Sequence, residues 1–548
     1  MSPLNSVVNA AASAAESIVV SVLNNVRHGS LTMRTSTSTY MFPPSASAEG
    51  AARIVTPDQL TATIVVRNPN FFLRLLLSGD LGFAEAYMFG EVDITPDDLV
   101  RVFLIFIKNR EAFSNLETSP LVKLLELPGR IIAKVASPLT RFIGFSTSGL
   151  ANVLADARAN ISAHYDLGNE MFEGFLSRDM TYSCAIFPTL DGDCDMRSPP
   201  LPLRSSGSDS EDEVTTGAST PTLGSDDGDK YVKDEDELYD AQMRKIRHIL
   251  RKADIHPGHR VLEIGSGWGA LSLRLLQTVP GTNVDTLTLS TQQAEYVRAR
   301  VEEASCELPT RPDISDHDEQ ERLKGKDVSL KDRLRVHLMD YRSMPPEWKG
   351  TFDRVISVEM VEAVGREYLE TYFAAIDWAL KKDTGVAVIQ GITIPEGRYE
   401  EYVKREDFIR KWESFIYDTY LPRPSVFPGG ILPTCSGLVS AITNGSKGRL
   451  VVDSISNIGP HYARTLREWR RRFEAGFGDH GVIEEALKKE HPELMSGPNG
   501  EEEIEVFRRK WIYYFVYCEA GFTARIIGDH IITFGREGNQ EYSCQIMA

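Results

Sequence analysis

Strand-like and helix-like segments alternate through the C-terminal half of the chain. Apolar residues at Met243, Ile246, Leu250 and Ala253 mark one face of a predicted helix, and Pro257-Gly258 ends it. Short apolar runs of strand length follow, with helical patterns after most of them. The predicted strands cover residues 260–264, 284–289, 334–339, 352–358 and 385–392. Such alternation predicts an α/β fold with a doubly wound, Rossmann-like parallel sheet over residues 238–540.

The pattern differs on the N-terminal side of that sheet. Residues 60–66 alternate like a strand, Asn68-Pro69 interrupts the pattern, and helix-like segments begin at Phe71 and Leu99. We therefore predict a smaller N-terminal α+β domain over residues 51–149.

The remaining segments are predicted from their composition and position. Residues 1–50 are rich in Ser, Thr and Ala and are expected to form a disordered tail, without a signal peptide. A short amphipathic helix and a weak targeting segment are the alternatives for residues 7–26. Residues 150–192 are interpreted as a helical cap that leads into the sheet.

Charge is concentrated in one segment. The chain has 548 residues and a formal net charge of −18, and half of that charge lies between residues 205 and 237, where eleven acidic residues stand against Lys230 and Lys233. So polar a stretch cannot form a core, and we predict an acidic disordered insertion over 193–237. The rest of the chain has no basic stripe, which argues against a nucleic-acid partner.

Cysteine usage and hydropathy bear on the compartment. The six cysteines form no CxxC pair, which suits free thiols in a reducing, cytoplasmic compartment, and we expect no metal site. No run approaches the roughly 18 apolar residues that a transmembrane helix needs. We expect a cytoplasmic protein, with peripheral membrane contact left open.

The most informative motif follows the first strand of the sheet. Residues 261–269 read VLEIGSGWG, with three glycines at alternate positions that let the backbone turn tightly against a ligand. A dinucleotide site would show GxGxxG aimed at a pyrophosphate. The spacing GxGxG suits a ligand without phosphate, S-adenosylmethionine, although a tight turn alone is the alternative. The candidate cofactor residues here are Gly265, Ser266 and Gly267.

Two further strand ends contribute candidates for the same ligand. Where most such folds place an acid for the ribose hydroxyls, this chain has Thr288, Leu289, Ser290 and Gln293 in the sequence TLSTQQ. After the third strand, Asp340 and Tyr341 are predicted to hold the adenine amine and to stack on its ring. A helix cap is the alternative for Asp340.

The chain resembles cyclopropane-fatty-acyl-phospholipid synthases and mycolic acid cyclopropane synthases from about residue 61 to residue 534. The motifs follow the family's order: HYDLGNEMF at 164–172, MTYSCA at 180–185, VLEIGSGWG at 261–269, TLSTQQ at 288–293, SVEMVEAVG at 357–365, IPEGRY at 394–399, FPGG at 427–430 and YCEAGF at 517–522.

This resemblance implies a fold and a reaction. The fold would be a class I methyltransferase sheet with a smaller lipid-binding N-terminal domain, and Tyr182 and Ser183 would join the cofactor site. The methyl group of S-adenosylmethionine would pass to the double bond of an unsaturated fatty acyl chain, in a phospholipid at a membrane surface. A homodimer is compatible with the sequence.

The resemblance also implies a bicarbonate ion that removes a proton to close the cyclopropane ring. Its predicted holders are Cys184 (through the backbone), Glu362, Gln390, Ile392 and Tyr462. Each has a plainer alternative: a buried small residue for Cys184, an ion-paired acid for Glu362, and core packing for Tyr462.

Two positions depart from the family pattern. Gln390 stands where the bacterial synthases carry histidine, and a glutamine amide can donate a hydrogen bond but cannot share a proton near pH 7. The prediction of ring closure therefore has less support than the prediction of methyl transfer, and a methyl-branched product remains an alternative. Glu359 stands where a small residue is common, and the sequence offers no physical account of it.

Two segments look inserted relative to the family, 305–332 and 412–425. Aromatic residues in the second would line an acyl tunnel, or the segment would come from an intron read as coding sequence.

Two other functions also remain open. One is a methyltransferase of the same fold that acts on another lipid, such as a sphingoid base. The other is a non-catalytic lipid-binding protein, against which the intact glycine motif, Glu362 and Tyr462 argue.

Overall fold

The computed structural model describes residues 3–44, 60–114, 168–190, 236–306, 329–404, 408–409, 431–478, 481–492 and 497–542. Nearly all of the predicted acidic insertion (193–237), the segment 412–425 and the FPGG motif lie outside these residues. So do residues 150–167 and 191–192 of the predicted helical cap and the centre of the segment 305–332.

A seven-stranded sheet organises the C-terminal part of the chain. Its strands are β5 (Arg260–Ile264), β6 (Asn283–Thr288), β7 (Leu334–Leu338), β8 (Arg354–Val358), β9 (Val386–Thr393), β10 (Leu450–Asn457) and β11 (Gly528–Arg536). They lie in the order β10-β11-β9-β8-β5-β6-β7. Strand β11 is antiparallel to both of its neighbours, and the pairs from β9 to β7 are parallel. This is the sheet topology of class I methyltransferases, and it confirms the predicted fold class.

Helices cover both faces of this sheet. They are α5 (Asn169–Glu173), α6 (Glu237–Lys252), α7 (Ala270–Thr278), α8 (Thr291–Cys306), α9 (Leu330–Arg333), α10 (Leu369–Ala379), α11 (Glu396–Lys404), α12 (Cys435–Ser446), α13 (Gly459–Ala475), α14 (Val482–Glu490) and α15 (Gly500–Thr523). Successive strand residues point to opposite faces, so Val261 and Leu262 belong to two different core clusters. The same holds for Ile356 and Val355.

The five predicted strands correspond to β5 to β9, whereas β10 and β11 were not predicted. Strand β10 lies at the edge of the sheet, and after Leu450 its side chains alternate between exposed and half-buried. Strand β11 interrupts its apolar run with Asp529, a buried charged residue. Both patterns are weaker than that of a central parallel strand.

The N-terminal unit is a four-stranded sheet with helices. Its strands β1 (Ser30–Arg34), β2 (Thr39–Phe42), β3 (Thr61–Val66) and β4 (Val92–Asp93) lie in the order β2-β1-β3-β4. Its helices are α1 (Pro3–Leu23), α2 (Asn70–Met88), α3 (Pro96–Lys108) and α4 (Arg110–Ser114). The strand predicted at 60–66 and the helices predicted from Phe71 and Leu99 correspond to β3, α2 and α3.

The prediction of a disordered tail over 1–50 is wrong for residues 3–44. Helix α1 buries Ala15, Val19 and Leu23 at four-residue spacing, which places them on one helix face against the core. Strand β1 pairs in parallel with β3. The regular spacing of these apolar residues was hard to recognise in a segment so rich in Ser and Thr.

Within the described residues, no helix is long and apolar enough to cross a membrane.

Candidate active site

Three glycines shape the turn after β5. Gly265, Gly267 and Gly269 have φ angles of +94°, +48° and +85°, a region that favours glycine. A Cβ built on Gly265 would lie 2.4 Å from Met360 Cγ, whereas a Cβ on Gly267 would meet no described atom within 4 Å. The space over Gly267 is therefore open to a ligand, and the turn suits the cofactor predicted for it.

Backbone hydrogen bonds hold this turn against β6. The amides of Gly265 and Ser266 both donate to the carbonyl of Leu287, at 3.0 and 2.9 Å. The Ser266 hydroxyl donates to the Gly267 carbonyl at 3.0 Å. The turn is thus fixed mainly by its backbone contacts with β6.

Trp268 connects the glycine turn to the segment 168–190. Its indole Nε1 donates to Asn169 Oδ1 at 2.9 Å, and its ring packs on Phe172 with centroids 5.0 Å apart. Both partners belong to the HYDLGNEMF motif, of which residues 168–172 are described. This contact gives that motif a role in supporting the turn, which the sequence alone did not reveal.

Glu263, the acid just before the glycines, binds within the protein. Its Oε2 accepts hydrogen bonds from Ser272 Oγ at 2.5 Å and from Thr286 Oγ1 at 2.6 Å. Burial raises the pKa of Glu263 to about 7, although these hydrogen bonds lower it. The side chain joins β5 to α7 and β6.

The residues at the end of β6 bind one another. Thr288 Oγ1 donates to Gln293 Oε1 at 2.9 Å and accepts from the Ser290 amide at 3.1 Å. Ser290 Oγ accepts from the Gln293 amide at 3.2 Å, and Leu289 is half-buried. The structure brings all four together beside the glycine turn, and their contact with a ribose stays a prediction.

Asp340 caps a short 3₁₀ helix, Tyr341–Ser343. Its carboxylate accepts from the Arg342 amide at 2.7 Å and from the Arg342 guanidinium at 2.9 and 2.6 Å. Burial raises the pKa of Asp340, but the bonds to Arg342 prevail and hold it below its ordinary value. The ring of Tyr341 is buried edge-on against Tyr372, with centroids 5.0 Å apart. The cap alternative is present, and the adenine role stays a prediction.

The YSC segment lies between α6 and α13. The Tyr182 ring stacks on Trp469 with centroids 4.9 Å apart, and its hydroxyl lies 3.0 Å from the hydroxyl of Tyr514. Ser183 Oγ accepts a hydrogen bond from Lys245 Nζ at 2.6 Å. Ser183 is buried and bonded to Lys245, and its contact with the cofactor stays a prediction.

Lys245 is a site residue that sequence reasoning missed. It is 2% exposed, on the face of α6 next to the predicted apolar positions. Burial lowers its pKa, while Glu359 and Asp179 raise it. The predicted apolar face of this helix consists of Met243, Ile246, Leu250 and Ala253, and the buried face is wider and includes Lys245.

Glu359 stands at the centre of the predicted bicarbonate site. It directly follows β8, in a left-handed conformation with φ of +49°. Its Oε1 accepts from the backbone amide of Cys184 at 2.9 Å and from Gln390 Nε2 at 2.8 Å. Its Oε2 accepts from the Tyr462 hydroxyl at 2.6 Å. Three of the five residues predicted to hold bicarbonate therefore converge on one carboxylate of the chain itself.

The other predicted ligands lie beside it. The Ile392 amide donates to Glu362 Oε1 at 2.5 Å, and Glu362 Oε2 has no hydrogen-bond partner among the described residues. Gln390 Nε2 also donates to Asp529 Oδ2 at 2.8 Å. Asp529 is fully buried on β11 and was not singled out from the sequence, although an acid within an apolar run was a signal.

Burial controls the charges of this cluster. It raises the pKa of Glu362 to about 8, with a further contribution from Glu359. Burial and the neighbouring Glu359 and Glu362 raise the pKa of Asp529 well above its ordinary value. Burial also raises the pKa of Glu359, opposed first by the hydrogen bond from Tyr462. Three carboxyl groups thus share a buried site near the buried lysine Lys245.

Cys184 contributes its backbone rather than its thiol. The side chain is fully buried, and Sγ donates to the Ile458 carbonyl at 3.6 Å. Burial raises the pKa of the thiol well above its ordinary value, so it stays protonated and is no nucleophile.

Sequence comparison identifies the family. Residues 153–197, 229–321 and 313–530 match the family model described as mycolic acid cyclopropane synthetase. The chain belongs to this family. It is an S-adenosylmethionine-dependent methyltransferase, which confirms the resemblance drawn from the motifs and the predicted enzyme class.

Similar proteins align along most of the chain. The tuberculostearic acid methyltransferase UfaA1 of Mycobacterium tuberculosis (strain ATCC 25618 / H37Rv) is 29% identical over 496 residues, covering 90% of this chain and 86% of its own. The cyclopropane-fatty-acyl-phospholipid synthase of Escherichia coli (strain K12) is 28% identical over 479 residues, covering 87% and 88%. The solved structure of the cyclopropane synthase MmaA2 from Mycobacterium tuberculosis aligns at 22% identity with a TM-score of 0.41, covering 69% of this chain and 97% of that chain.

Bicarbonate does not fit the observed contacts. The donors of Cys184, Gln390 and Tyr462 are occupied by Glu359, and the amide of Ile392 is occupied by Glu362. A bicarbonate ion would have to displace a carboxylate of the protein and enter a site that already holds several acids.

Proposed function

We propose that this methyltransferase transfers the methyl group of S-adenosylmethionine to the double bond of an unsaturated fatty acyl chain in a phospholipid. The product would be a cyclopropane or methyl-branched acyl chain. The observation that carries the proposal is the buried carboxyl cluster of Glu359, Glu362 and Asp529 directly beside the glycine turn.

The cluster and the turn are in contact. Met360, which separates Glu359 from the 3₁₀ helix Val361–Ala363, approaches Gly265 so closely that a Cβ there would lie 2.4 Å from its Cγ. Ser357 Oγ donates to the Ile264 carbonyl at 3.0 Å and joins the ends of β8 and β5. Both features lie at the carboxyl ends of adjacent parallel strands, where open α/β sheets bind their ligands.

The chemistry of an alkene acceptor suits this arrangement. The cofactor supplies an electrophilic methyl group, and a double bond is a poor nucleophile that must be held in line with it in a dry site. Methyl addition leaves a positive charge on the acyl chain. Buried carboxylates near that charge stabilise it electrostatically, and one of them can accept the proton whose loss completes the product.

The surroundings suit an apolar acceptor. Tyr462 stacks on Phe522 with ring centroids 4.5 Å apart, and Tyr182 stacks on Trp469. The printed names of the two curated relatives, a tuberculostearic acid methyltransferase and a cyclopropane-fatty-acyl-phospholipid synthase, support a lipid acyl acceptor. We expect the enzyme to take this acceptor from a membrane surface.

The test is lipid analysis with the purified full-length chain. Vesicles of dioleoyl phosphatidylcholine are incubated with S-adenosylmethionine, and the acyl methyl esters are analysed by mass spectrometry. We expect acyl chains heavier by one methylene, with stoichiometric release of S-adenosylhomocysteine. Vesicles of dipalmitoyl phosphatidylcholine, which lack double bonds, serve as the matched control and should give neither product.

Other acceptors separate the alternatives. Free oleic acid and a sphingoid base are offered under the same conditions. Faster methylation of either one than of the phospholipid would reject the phospholipid as the substrate.

A further inference from the structure

The donor set around Glu359 shows what this side chain replaces. A backbone amide, a glutamine amide and a tyrosine hydroxyl from three separate parts of the chain all donate to one carboxylate. A planar group with two oxygens and a negative charge satisfies this set, and bicarbonate and a glutamate side chain both have that form.

Building on the proposed function, we propose that Glu359 is a built-in base that replaces bicarbonate and takes the proton from the methylated acyl chain. The enzyme would then close the ring without a diffusible anion.

The backbone at this position supports a specific role. A residue with a side chain seldom adopts positive φ, and Glu359 does so at +49° directly after β8. Such a conformation persists where surrounding contacts fix it, and here the carboxylate is fixed by three hydrogen bonds from outside its own strand. A glycine would adopt this backbone more readily, so the glutamate is present for its carboxylate.

The charges of the neighbours favour Glu359 as the group that carries the negative charge. It accepts three hydrogen bonds, whereas Glu362 accepts one and its Oε2 has no partner among the described residues. Hydrogen bonds to a carboxylate favour its ionised form. Near neutral pH Glu362 is protonated, since its pKa is about 8. The three hydrogen bonds make Glu359 the better placed of the two carboxyl groups to carry the negative charge.

Methyl transfer precedes proton removal in the proposed reaction. The π electrons of the acyl double bond form a bond to the methyl carbon, and the carbon–sulfur bond breaks with its electrons on sulfur. The acyl chain then carries a cationic carbon. Glu359 removes a proton from the added methyl group, and the electrons of that C–H bond close the three-membered ring. The proton leaves Glu359 for solvent when the product departs.

The test uses chemical rescue of the full-length enzyme. Turnover on dioleoyl phosphatidylcholine vesicles is measured in buffer freed of carbon dioxide and in the same buffer with added sodium bicarbonate. The wild type should form cyclopropane product at the same rate, within about twofold, in both buffers. Glu359→Gly should lose about 10²–10⁴-fold of ring formation without bicarbonate, the usual contribution of a positioned base.

Rescue distinguishes a missing base from a damaged fold. Glycine accepts the positive φ and exposes the three donors, so bicarbonate or formate should restore ring formation of Glu359→Gly by at least about tenfold. Glu359→Gln is the matched control, because its amide fills the same space without acting as a base. We expect it to be equally impaired and not rescued.

Several outcomes would overturn the inference. Ring formation by the wild type that requires added bicarbonate would do so, as would full activity of Glu359→Gly without bicarbonate. Should Glu359→Gly fail to fold, judged by its melting temperature, the wild type and Glu359→Gln decide by the same measurements. If the wild type forms neither S-adenosylhomocysteine nor methylated acyl chains in either buffer, the proposed function fails too.

Discussion

Replacing Tyr462 with phenylalanine isolates one hydrogen bond of the carboxyl cluster. The tyrosine hydroxyl donates to Glu359 Oε2 at 2.6 Å, while its ring stacks on Phe522 and meets Trp469 edge-on. Phenylalanine keeps both ring contacts and removes only the donor. The change therefore acts on the charge of Glu359 rather than on the packing of α13.

The strength of the lost hydrogen bond sets the expected change in the pKa of Glu359. A hydrogen bond to a charged group contributes about 1.5–3 kcal/mol net. Losing this hydrogen bond disfavours the ionised form of Glu359 relative to the protonated form by that amount. The acid dissociation constant of Glu359 then falls by about 10- to 150-fold. The pKa of Glu359 rises, so less of the base is ionised at a given pH.

The pH dependence provides the assay. Activity that needs ionised Glu359 is lost as pH falls through its pKa, and a raised pKa moves this acid limb to higher pH. Cyclopropane formation by Tyr462→Phe, measured by mass spectrometry from pH 6 to 9.5, should fall most at low pH and recover towards the wild-type rate at high pH. An equal loss at every pH would show that the hydroxyl acts in some other way, and no loss would remove Glu359 from the reaction.

Four further outcomes are expected. Gly267→Val should abolish S-adenosylmethionine binding in calorimetry, because it adds a strained side chain in the open space over the turn. Glu362→Gln should lower turnover near pH 7 less than Glu359→Gln does, because the amide replaces a carboxyl that is already neutral there. It should also flatten the wild-type fall of melting temperature between pH 4.5 and 8, since a carboxyl whose folded pKa is raised to about 8 makes the fold lose stability as pH rises through that window. Gln390→His should lower the cyclopropane share of the product, because a neutral imidazole has one N–H where the amide donates to both Glu359 and Asp529. Deleting residues 197–233 should leave melting temperature and turnover nearly unchanged, and a lowered melting temperature would show the segment to be structural.

The central sheet was predictable because its strands are short, apolar and separated by helices. The five parallel strands and the glycine turn have local patterns that need no knowledge of distant contacts. Strands β10 and β11 were missed because one is a half-exposed edge strand and the other carries Asp529. Helix α1 was only the alternative to a disordered tail, because alanine, serine and valine side chains each bury little area. The helix is stabilised by its contact with the rest of the N-terminal unit.

The site was predictable as a set of residues but not as a set of contacts. The resemblance directed attention to Cys184, Gln390 and Tyr462, and the structure brings all three together. The group at their centre is Glu359, which no local pattern marks as a site residue. Lys245 was equally hidden, since a single lysine on an amphipathic helix normally faces solvent.

The two departures from the family pattern explain each other. A glutamine amide nitrogen carries two hydrogens, and Gln390 directs them to Glu359 and Asp529 at 2.8 Å each. A neutral histidine would present one N–H and one lone pair to these two acceptors, which suits a site where the anion itself carries a proton. A carboxylate held by the chain needs only donors, and glutamine supplies them at every pH. Because Glu359 is tethered, its effective concentration at the acyl chain does not depend on dissolved bicarbonate. The pairing of Glu359 with Gln390 therefore fits an enzyme whose base is part of its own sequence.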